Sequence, residues 1–440
     1  MHLTIDEIIK ATGGQKSFAI NAQATYGVST DSRRDVKGQL FIPISGPNFD
    51  GHNYIEDALA KGAVCALSER ESDSNLPIIK VPSTRQALID LAIYDRSRFT
   101  GPVVAITGSA GKTTTKEIIA SVLSQKFKTL KTQGNFNNDI GLPLTLLGRE
   151  DDHEAMVLEM GMNHRGEIRL LSKIGRPDIC LITNIGDAHI ENLGSREGIL
   201  EAKSEIFEGM RQGGTVILNG DDPLLTALPK VPHAGKTIYC RMADARQIKH
   251  NGLKGTSCII SGASVEIPLP GSHMIMNALM AFAAGLELGL TPQEIAAGIK
   301  AVTPIGHRMA ITEVGSGPSA ITIVNDAYNA SPPSMKAALD MLARAEGRKV
   351  CILGDMFELG EYAENMHKDV GRYAAEKVDL FIAIGSLSKY MGAAHHFETK
   401  EAFLKEWQNF LLPGDTVLIK ASRGMALETV AEEILQQGAQ

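Results

Sequence analysis

One stretch constrains what this chain can fold into more than any other: Val103-Val104-Ala105-Ile106-Thr107-Gly108-Ser109-Ala110-Gly111-Lys112-Thr113-Thr114-Thr115-Lys116. Val103 to Ile106 is a short apolar run and reads as a buried strand. A turn with two glycines follows, and Glu117-Ile118-Ile119-Ala120-Ser121-Val122-Leu123 reads as the body of a helix. Strand, turn and helix N-terminus together make an anion cradle. Glycine lets the backbone approach the ligand, and free N–H groups of the first helical turn point at it. In such a cradle Lys112 reaches the outer phosphates and Thr113 offers its hydroxyl to Mg²⁺. The usual phosphate-loop spacing asks for glycine at position 106, where this chain has Ile106. The alternative is a strand–turn–helix corner that merely carries a lysine, and three threonines beside the two glycines argue against it.

The chain is 440 residues long, more than the roughly 250–300 residues that one core organises, so two or three domains are expected. Net charge is −7, which gives no basic field for nucleic acid; a nucleotide must be met by local lysine and arginine. The five cysteines (Cys65, Cys180, Cys240, Cys258 and Cys351) are scattered and form no Cys-x-x-Cys pair, so buried free thiols in a reducing compartment are expected. The acidic start Met1-His2-Leu3-Thr4-Ile5-Asp6-Glu7 carries no secretory signature. No apolar run approaches the roughly 18 residues of a membrane span. The expectation is a cytoplasmic protein without membrane insertion.

Along the chain, Thr4 and Glu7 form a capping box for a helix to Lys10. Gly38 to Ile44 and Gly62 to Leu67 read as strands around a helix from Tyr54 to Lys61, a small α/β unit. Leu76 to Pro82 reads as a boundary, and Ser83 caps a helix from Thr84 to Arg96. From there to about residue 310, strands and helices alternate, as for a mostly parallel sheet. Its strands are Pro102 to Thr107, Ala155 to Leu158, Ile179 to Thr183 and Thr215 to Leu218. Polar chemistry gathers past their carboxyl ends, where such sheets bind ligands: the phosphate loop, Glu159-Met160-Gly161, Asn184 to His189 and Asn219 to Asp222. An apolar helix from Met274 to Leu288 carries Asn277, and the arm Thr303 to Arg308 leads out. A second alternating set follows, with strands at Ile321 to Val324, Val350 to Leu353, Leu380 to Ile384 and Thr416 to Ile419. The expected architecture is α/β in three domains. A small N-terminal domain spans 1–82, a central phosphate-loop ATPase domain 83–310 and a Rossmann-like C-terminal domain 311–440.

Several constellations keep two readings open. Glu159 and His189 follow strands beside the loop, where a carboxylate and an imidazole can hold Mg²⁺. Asp31-Ser32-Arg33 is either a solvated turn or an anion site. Asn135, Asn137 and Asn138 form either a structural loop or a hydrogen-bonding surface for a polar substrate. Lys203, on a helical pattern with Glu201 and Glu205, reads first as a solvated, ion-paired lysine.

Together these stretches resemble the Mur ligase family, the ATP-dependent amide-forming enzymes of peptidoglycan precursor synthesis. The carrying residues are Thr107 to Thr114, Gly134-Asn135-Phe136-Asn137-Asn138, Glu159-Met160-Gly161, Asp187-Ala188-His189, Glu201-Ala202-Lys203, His273-x-x-x-Asn277-Ala278 and Lys420-x-Ser422-Arg423. Ile106 in place of glycine is the family's own variant. Asp326-Ala327-Tyr328-Asn329 and Leu353 to Gly360 resemble the branch that adds D-alanyl-D-alanine to UDP-N-acetylmuramoyl-tripeptide. The resemblance implies ATP held by Gly108, Ser109, Ala110, Gly111, Lys112, Thr113 and Thr114, with Asn277, Arg308, Asp326 and Asn329 contacting the nucleotide. It implies a pair of Mg²⁺ ions, one on Thr113 and Glu159, the other on His189 and Lys203 carbamylated by CO₂. Lys112, Lys203 and His189 would then carry catalysis. Ser32 and Arg33 would meet the UDP end, Asn135, Asn137 and Asn138 the phosphates or acceptor, and Ser422 and Arg423 the dipeptide. A monomer working on these small molecules is expected. Two competing expectations are a folylpolyglutamate-type ligase and a nucleotide switch that hydrolyses ATP without forming a bond.

Overall fold

Three sheets of five or six strands carry most of the chain in the computed structural model, which describes residues 2–17, 19–20, 22–71, 76–303 and 308–437. The first has five short strands in the order Gln15–Lys16, Ile78–Lys80, Cys65–Ser68, Leu40–Phe41 and Val28–Ser29; only the first pairing is antiparallel. The N-terminal helix runs Ile5–Thr12 with the expected capping box on Thr4 and Glu7. Ile78–Lys80 lies within this sheet, so the stretch read as a boundary from residue 76 contains a strand. The helix after it, Thr84–Arg98, is capped by Ser83.

The central sheet has six parallel strands in the order Thr129–Lys131, Ala155–Glu159, Val103–Thr107, Ile179–Ile182, Thr215–Asn219 and Lys236–Cys240. Val103–Thr107 comes first in the chain and sits inside the sheet. The next two strands fall on one side of it and the later three on the other. Its carboxyl end is therefore the topological switch point, where the crevice of an open α/β sheet lies. Both edge strands, Thr129–Lys131 and Lys236–Cys240, and an antiparallel three-stranded sheet, Ala245–His250, Thr256–Ile260 and Ala263–Ile267, lie outside the strands expected from sequence. From sequence, residues 100–310 read as uniformly alternating. The phosphate-loop helix, Lys112–Leu123, packs on His273–Glu287 and Pro292–Lys300. A side chain at Gly298 would press into the Val122 backbone, so glycine there sets the helix spacing.

The C-terminal sheet has the order Ala310–Val314, Ile321–Asn325, Thr416–Lys420, Lys349–Gly354, Leu380–Ile384 and His395–Phe397; all but the first strand run parallel. The two edge strands were not read from sequence. Of the arm from Thr303 to Arg308, Pro304-Ile305-Gly306-His307 lie outside the described residues. All five cysteines are free and buried, and burial pushes the Cys65 and Cys240 thiols up to about 12. No described helix is long and apolar enough to cross a membrane.

A buried ion pair ties the first helix of the central region to the sheet's flank. Arg149 donates from Nε to Asp95 Oδ2 at 3.0 Å and from its terminal nitrogen to Oδ1 at 2.8 Å, with Asp95 fully buried. Removing one partner of such a pair leaves an uncompensated charge. Asp95→Asn is expected to lower unfolding free energy by about 3 kcal/mol, read as an earlier urea midpoint at unchanged m-value. A midpoint within error of wild type would show that the pair contributes nothing net.

Candidate functional site

The phosphate loop is already formed by bonds within the protein. Gly108 has φ +152, and a side chain there would collide with Thr183 Oγ1. Thr183 Oγ1 donates to Ala110 O at 2.6 Å, and Asn184 receives the Ala110 N–H at 2.9 Å on Oδ1. The Ser109 hydroxyl accepts from Gly186 N at 2.9 Å. Lys112 Nζ donates to Gly108 O at 2.7 Å, curling back over the loop, and its buried surroundings lower its pKa. Thr183 and Asn184 are thus part of the cradle. The sequence placed Asn184 at a strand end but gave it no role, because which loop a strand end touches depends on strand order.

Beside the loop stands Glu159, the last residue of its strand and 2% exposed. Its Oε1 accepts from Asn137 Nδ2 at 2.9 Å, while Oε2 is buried with no hydrogen-bond partner. Lys116, fully buried on the phosphate-loop helix, places Nζ 3.8 Å from that oxygen and 3.0 Å from Glu117 Oε1. Lys116 had no role on sequence alone, and packing reveals its place beside Glu159. An unpartnered buried carboxylate oxygen beside a phosphate loop and Thr113 suits a hard divalent cation.

His189 follows the neighbouring strand at φ +64, and its Nδ1 lies 2.8 Å from Glu358 Oε2 on the C-terminal part of the chain. Lys203 is 1% exposed on the helix Arg196–Ser204. The ion-paired reading of Lys203 is wrong. Glu201 pairs with Arg165 at 2.7 Å, and Glu205 accepts the backbone N–H groups of Gly166 and Arg169. Burial, with the charge of Lys112 added, pushes the Lys203 ammonium well below its ordinary pKa.

A cavity of about 450 Å³ opens over the loop and is walled by both parallel sheets. From the central part come Ser109, Ala110, Gly111, Lys112, Thr113, Thr114, Asn137, Glu159, His189 and Asn277; from the C-terminal part come Arg308, Asp326, Tyr328, Asn329 and Lys420. Asn277 stands against the loop, since a side chain at Gly111 would come within 3.2 Å of its Oδ1. Lys420, 3% exposed, donates from Nζ to Asp326 Oδ2 at 2.6 Å and to Asn329 O at 2.8 Å. The Arg308 guanidinium lies 3.9 Å from the Tyr328 ring centroid and that of Arg423 4.9 Å from it. Tyr328 and Lys420 were not singled out from sequence as site residues, because each works through a neighbour.

Five expected residues, Ser32, Arg33, Asn135, Asn138 and Ser422, lie outside the lining of this cavity. Asn135 is exposed and lines none of the cavity. Asn138 Oδ1 instead receives the Gly141 N–H at 2.8 Å at the start of the helix Gly141–Leu147. The Asn138 side chain is spent on its own loop, as its residue type favours at helix starts. Ser422 is 3% exposed, and its hydroxyl accepts the Phe357 N–H at 2.9 Å, so it holds a loop rather than facing a ligand. Arg33 is solvent-exposed and chelates Asp31 at 2.8 and 2.9 Å, which lowers the Asp31 carboxyl to about 2. With Ser32, whose carbonyl accepts from Lys61 at 2.9 Å, Arg33 lies in the N-terminal part, outside the central cavity.

A phosphate loop at a switch point, faced across one cavity by a second parallel sheet with its own lysine and arginines, defines a ligase that works on ATP. The Mur ligase middle domain matches residues 106–285, the Mur ligase glutamate ligase domain residues 307–423 and the Mur ligase catalytic domain residues 24–96. A Bacillus subtilis protein named UDP-N-acetylmuramoyl-tripeptide–D-alanyl-D-alanine ligase is 39% identical over 98% of this chain and 97% of its own length. Among solved structures, MurF from Acinetobacter baumannii superposes with a TM-score of 0.90 at 32% identity, covering 99% of both chains. MurF from Thermotoga maritima, in complex with ADP, does so with a TM-score of 0.82 at 28% identity over 96% of this chain and 99% of its own. The chain belongs to the Mur ligase family, whose members depend on ATP and Mg²⁺.

Proposed function

We propose that the chain joins D-alanyl-D-alanine to UDP-N-acetylmuramoyl-tripeptide in peptidoglycan precursor synthesis, releasing ADP and phosphate. The observation that carries this reading is the shared cavity. The loop and Glu159 of one sheet face Arg308, Asp326 and Lys420 of the other, so a nucleotide and an acceptor can meet between them. Identity of 39% across nearly the whole length of a relative of that name supports the choice of substrates.

A carboxylate is a poor acyl donor because oxide is a poor leaving group. Phosphorylation by ATP converts the tripeptide's terminal carboxylate to an acyl phosphate. The dipeptide amine then attacks the acyl carbon, a C–N bond forms, the C–O bond to phosphate breaks and phosphate departs. The ammonium nitrogen loses two protons overall, one ending on hydrogen phosphate and one in solvent. Lys112 leaves its contact with Gly108 O to meet the transferring phosphoryl group, where a fixed charge stabilises the transition state. Thr113 and Glu159 hold one Mg²⁺, the buried Glu159 Oε2 supplying an acceptor that is otherwise unmatched. His189, which lines the cavity, would offer a ligand to a second ion, and a carbamate on Lys203, which is buried and outside the cavity lining, would add an anionic one. Bound there, the ions neutralise phosphate charge. Carbamate formation starts from the neutral amine, and burial pushes the Lys203 ammonium in that direction. Asn277, Arg308, Asp326 and Asn329 orient the nucleotide, and Asn137 steadies Glu159. Ser32 and Arg33 serve the uridine end from the N-terminal domain. Domains over 1–82, 83–310 and 311–440 close around these substrates in a cytoplasmic monomer, which sediments as one 440-residue chain.

The deciding assay follows phosphate release from ATP and Mg²⁺ with the UDP-tripeptide, with and without D-alanyl-D-alanine, and weighs the product. Tripeptides ending in lysine and in diaminopimelate are both supplied. Release that needs both substrates, with a product heavier by one dipeptide less water, is expected. Release that ignores them would overturn the ligase reading in favour of a nucleotide switch.

A further inference from the structure

The loop Asp355-Met356-Phe357-Glu358 leaves the strand Lys349–Gly354 under unusual restraint. Asp355 Oδ1 accepts the N–H groups of Leu387 at 3.0 Å and Ser388 at 2.6 Å. Met356 N–H donates to Nε2 of the fully buried His367 at 3.0 Å, whose Nδ1 lies 2.7 Å from Ala363 O. Phe357 N–H donates to Ser422 Oγ, and its ring lies against Gly424. Each of these bonds is internal, and together they fix everything in the loop except the carboxylate at its end. Glu358 stands in the left-handed region at φ +62, a conformation that costs a non-glycine residue energy and persists where surroundings impose it. Its side chain, 56% exposed, reaches across to His189 at 2.8 Å and lies near enough to Lys112 to feel its charge.

A carboxylate in this place needs a cation. Bound ATP would fill the end of the phosphate loop with negative charge, and a carboxylate beside that charge is disfavoured unless a cation accompanies it. The reaction itself brings one more cation to that point, the α-ammonium of the acceptor, whose nitrogen must come within bonding distance of the acyl carbon. The neighbouring loop supplies the opposite charge. Arg423, tied to the Glu358 loop through the Ser422–Phe357 bond, has no ion-pair partner among the described residues. An anion site and a cation site on two joined loops match a zwitterionic dipeptide. The exposed Phe357 ring between them offers an apolar surface for its methyl groups.

Resting on the ligase reading above, we propose that Glu358 binds the α-ammonium of the incoming dipeptide and aims its nitrogen at the acyl phosphate, while Arg423 takes the dipeptide's carboxylate. Glu358 is in this account a substrate-binding residue, and the C-terminal domain presents the dipeptide as a unit.

Steady-state kinetics on full-length wild-type protein, Glu358→Gln and Glu358→Asp test it, with D-alanyl-D-alanine, ATP and the UDP-tripeptide varied in turn. Loss of a charge-assisted hydrogen bond is expected to raise the KM for the dipeptide by about 10- to 100-fold in Glu358→Gln. Glu358→Asp should fall between, and the KM for ATP should stay within about twofold of wild type. An unchanged dipeptide KM in Glu358→Gln, with wild-type protein active, overturns the proposal alone. A KM for ATP or a Mg²⁺ requirement that rises in parallel also overturns it, placing Glu358 on the metal side. Wild-type protein that makes no product from the dipeptide sinks the ligase reading and this proposal with it.

Discussion

Replacing Lys203 with alanine lowers the ligation rate by about a hundredfold or more, and millimolar formate or acetate restores part of it. The argument starts from burial. Lys203 is 1% exposed with no acidic side chain paired to it among the described residues, and burial with the nearby Lys112 charge pushes its ammonium well below its ordinary pKa. In the proposed carbamate, the neutral amine adds CO₂ to give an anion and a proton, and that anion would serve as a metal ligand. Alanine leaves a pocket where the ammonium stem stood, and a small carboxylate can occupy it. Lys203→Met separates this from a structural role: an apolar stem of similar volume should keep or raise thermal stability while activity is lost. Wild-type rates in Lys203→Ala would remove the carbamate from the account. So would a loss that no carboxylate relieves in a variant with unchanged melting temperature.

Lys112→Met is expected to be more damaging, with kcat lower by about a thousandfold. The Lys112 ammonium is bonded to Gly108 O, which holds the cation over the phosphate loop. Methionine keeps most of the stem and none of the charge. Because the loss falls on the phosphoryl-transfer step, the dipeptide KM should move by less than about threefold while phosphate release slows. A kcat within about tenfold of wild type would show that phosphate charge is met elsewhere, with Arg308 the first residue to test.

The phosphate loop was legible in the sequence because every feature it needs is local: an apolar run, glycines where the backbone must approach an anion, and a lysine at the helix start. Strand ends were legible for a similar reason, since parallel strands buried on both faces read as unbroken apolar runs followed by polar residues. The site's partners were less so. Lys203 looks like a surface lysine in sequence, and its burial, like that of Lys116, follows from helix packing that no local pattern encodes. Asn138 and Ser422 looked like ligand contacts because their side chains can make them, yet each is committed to a backbone N–H nearby. Of the antiparallel strands from Ala245 to Ile267, the first is exposed beyond Ala245 and the other two alternate over only five positions each, too briefly to separate from the strand–helix rhythm around them.

One apolar core runs without a break from Leu3 and Ile8 of the N-terminal helix, through Leu88 and Leu91, to Met156, Ile182 and Leu218 of the central sheet. The C-terminal sheet is instead filled by clusters of its own, around Leu339 and Leu353 on one face and Val417 and Ile419 on the other. Cooperativity follows the core rather than the sheet count. The first two parts of the chain gain and lose order as one foldon, while the third folds around its own centre. On that division the uridine-side and nucleotide-side surfaces are expected to move as one body, and the part that carries Glu358 and Arg423, on whose cluster Leu253 of the central part packs, as a second.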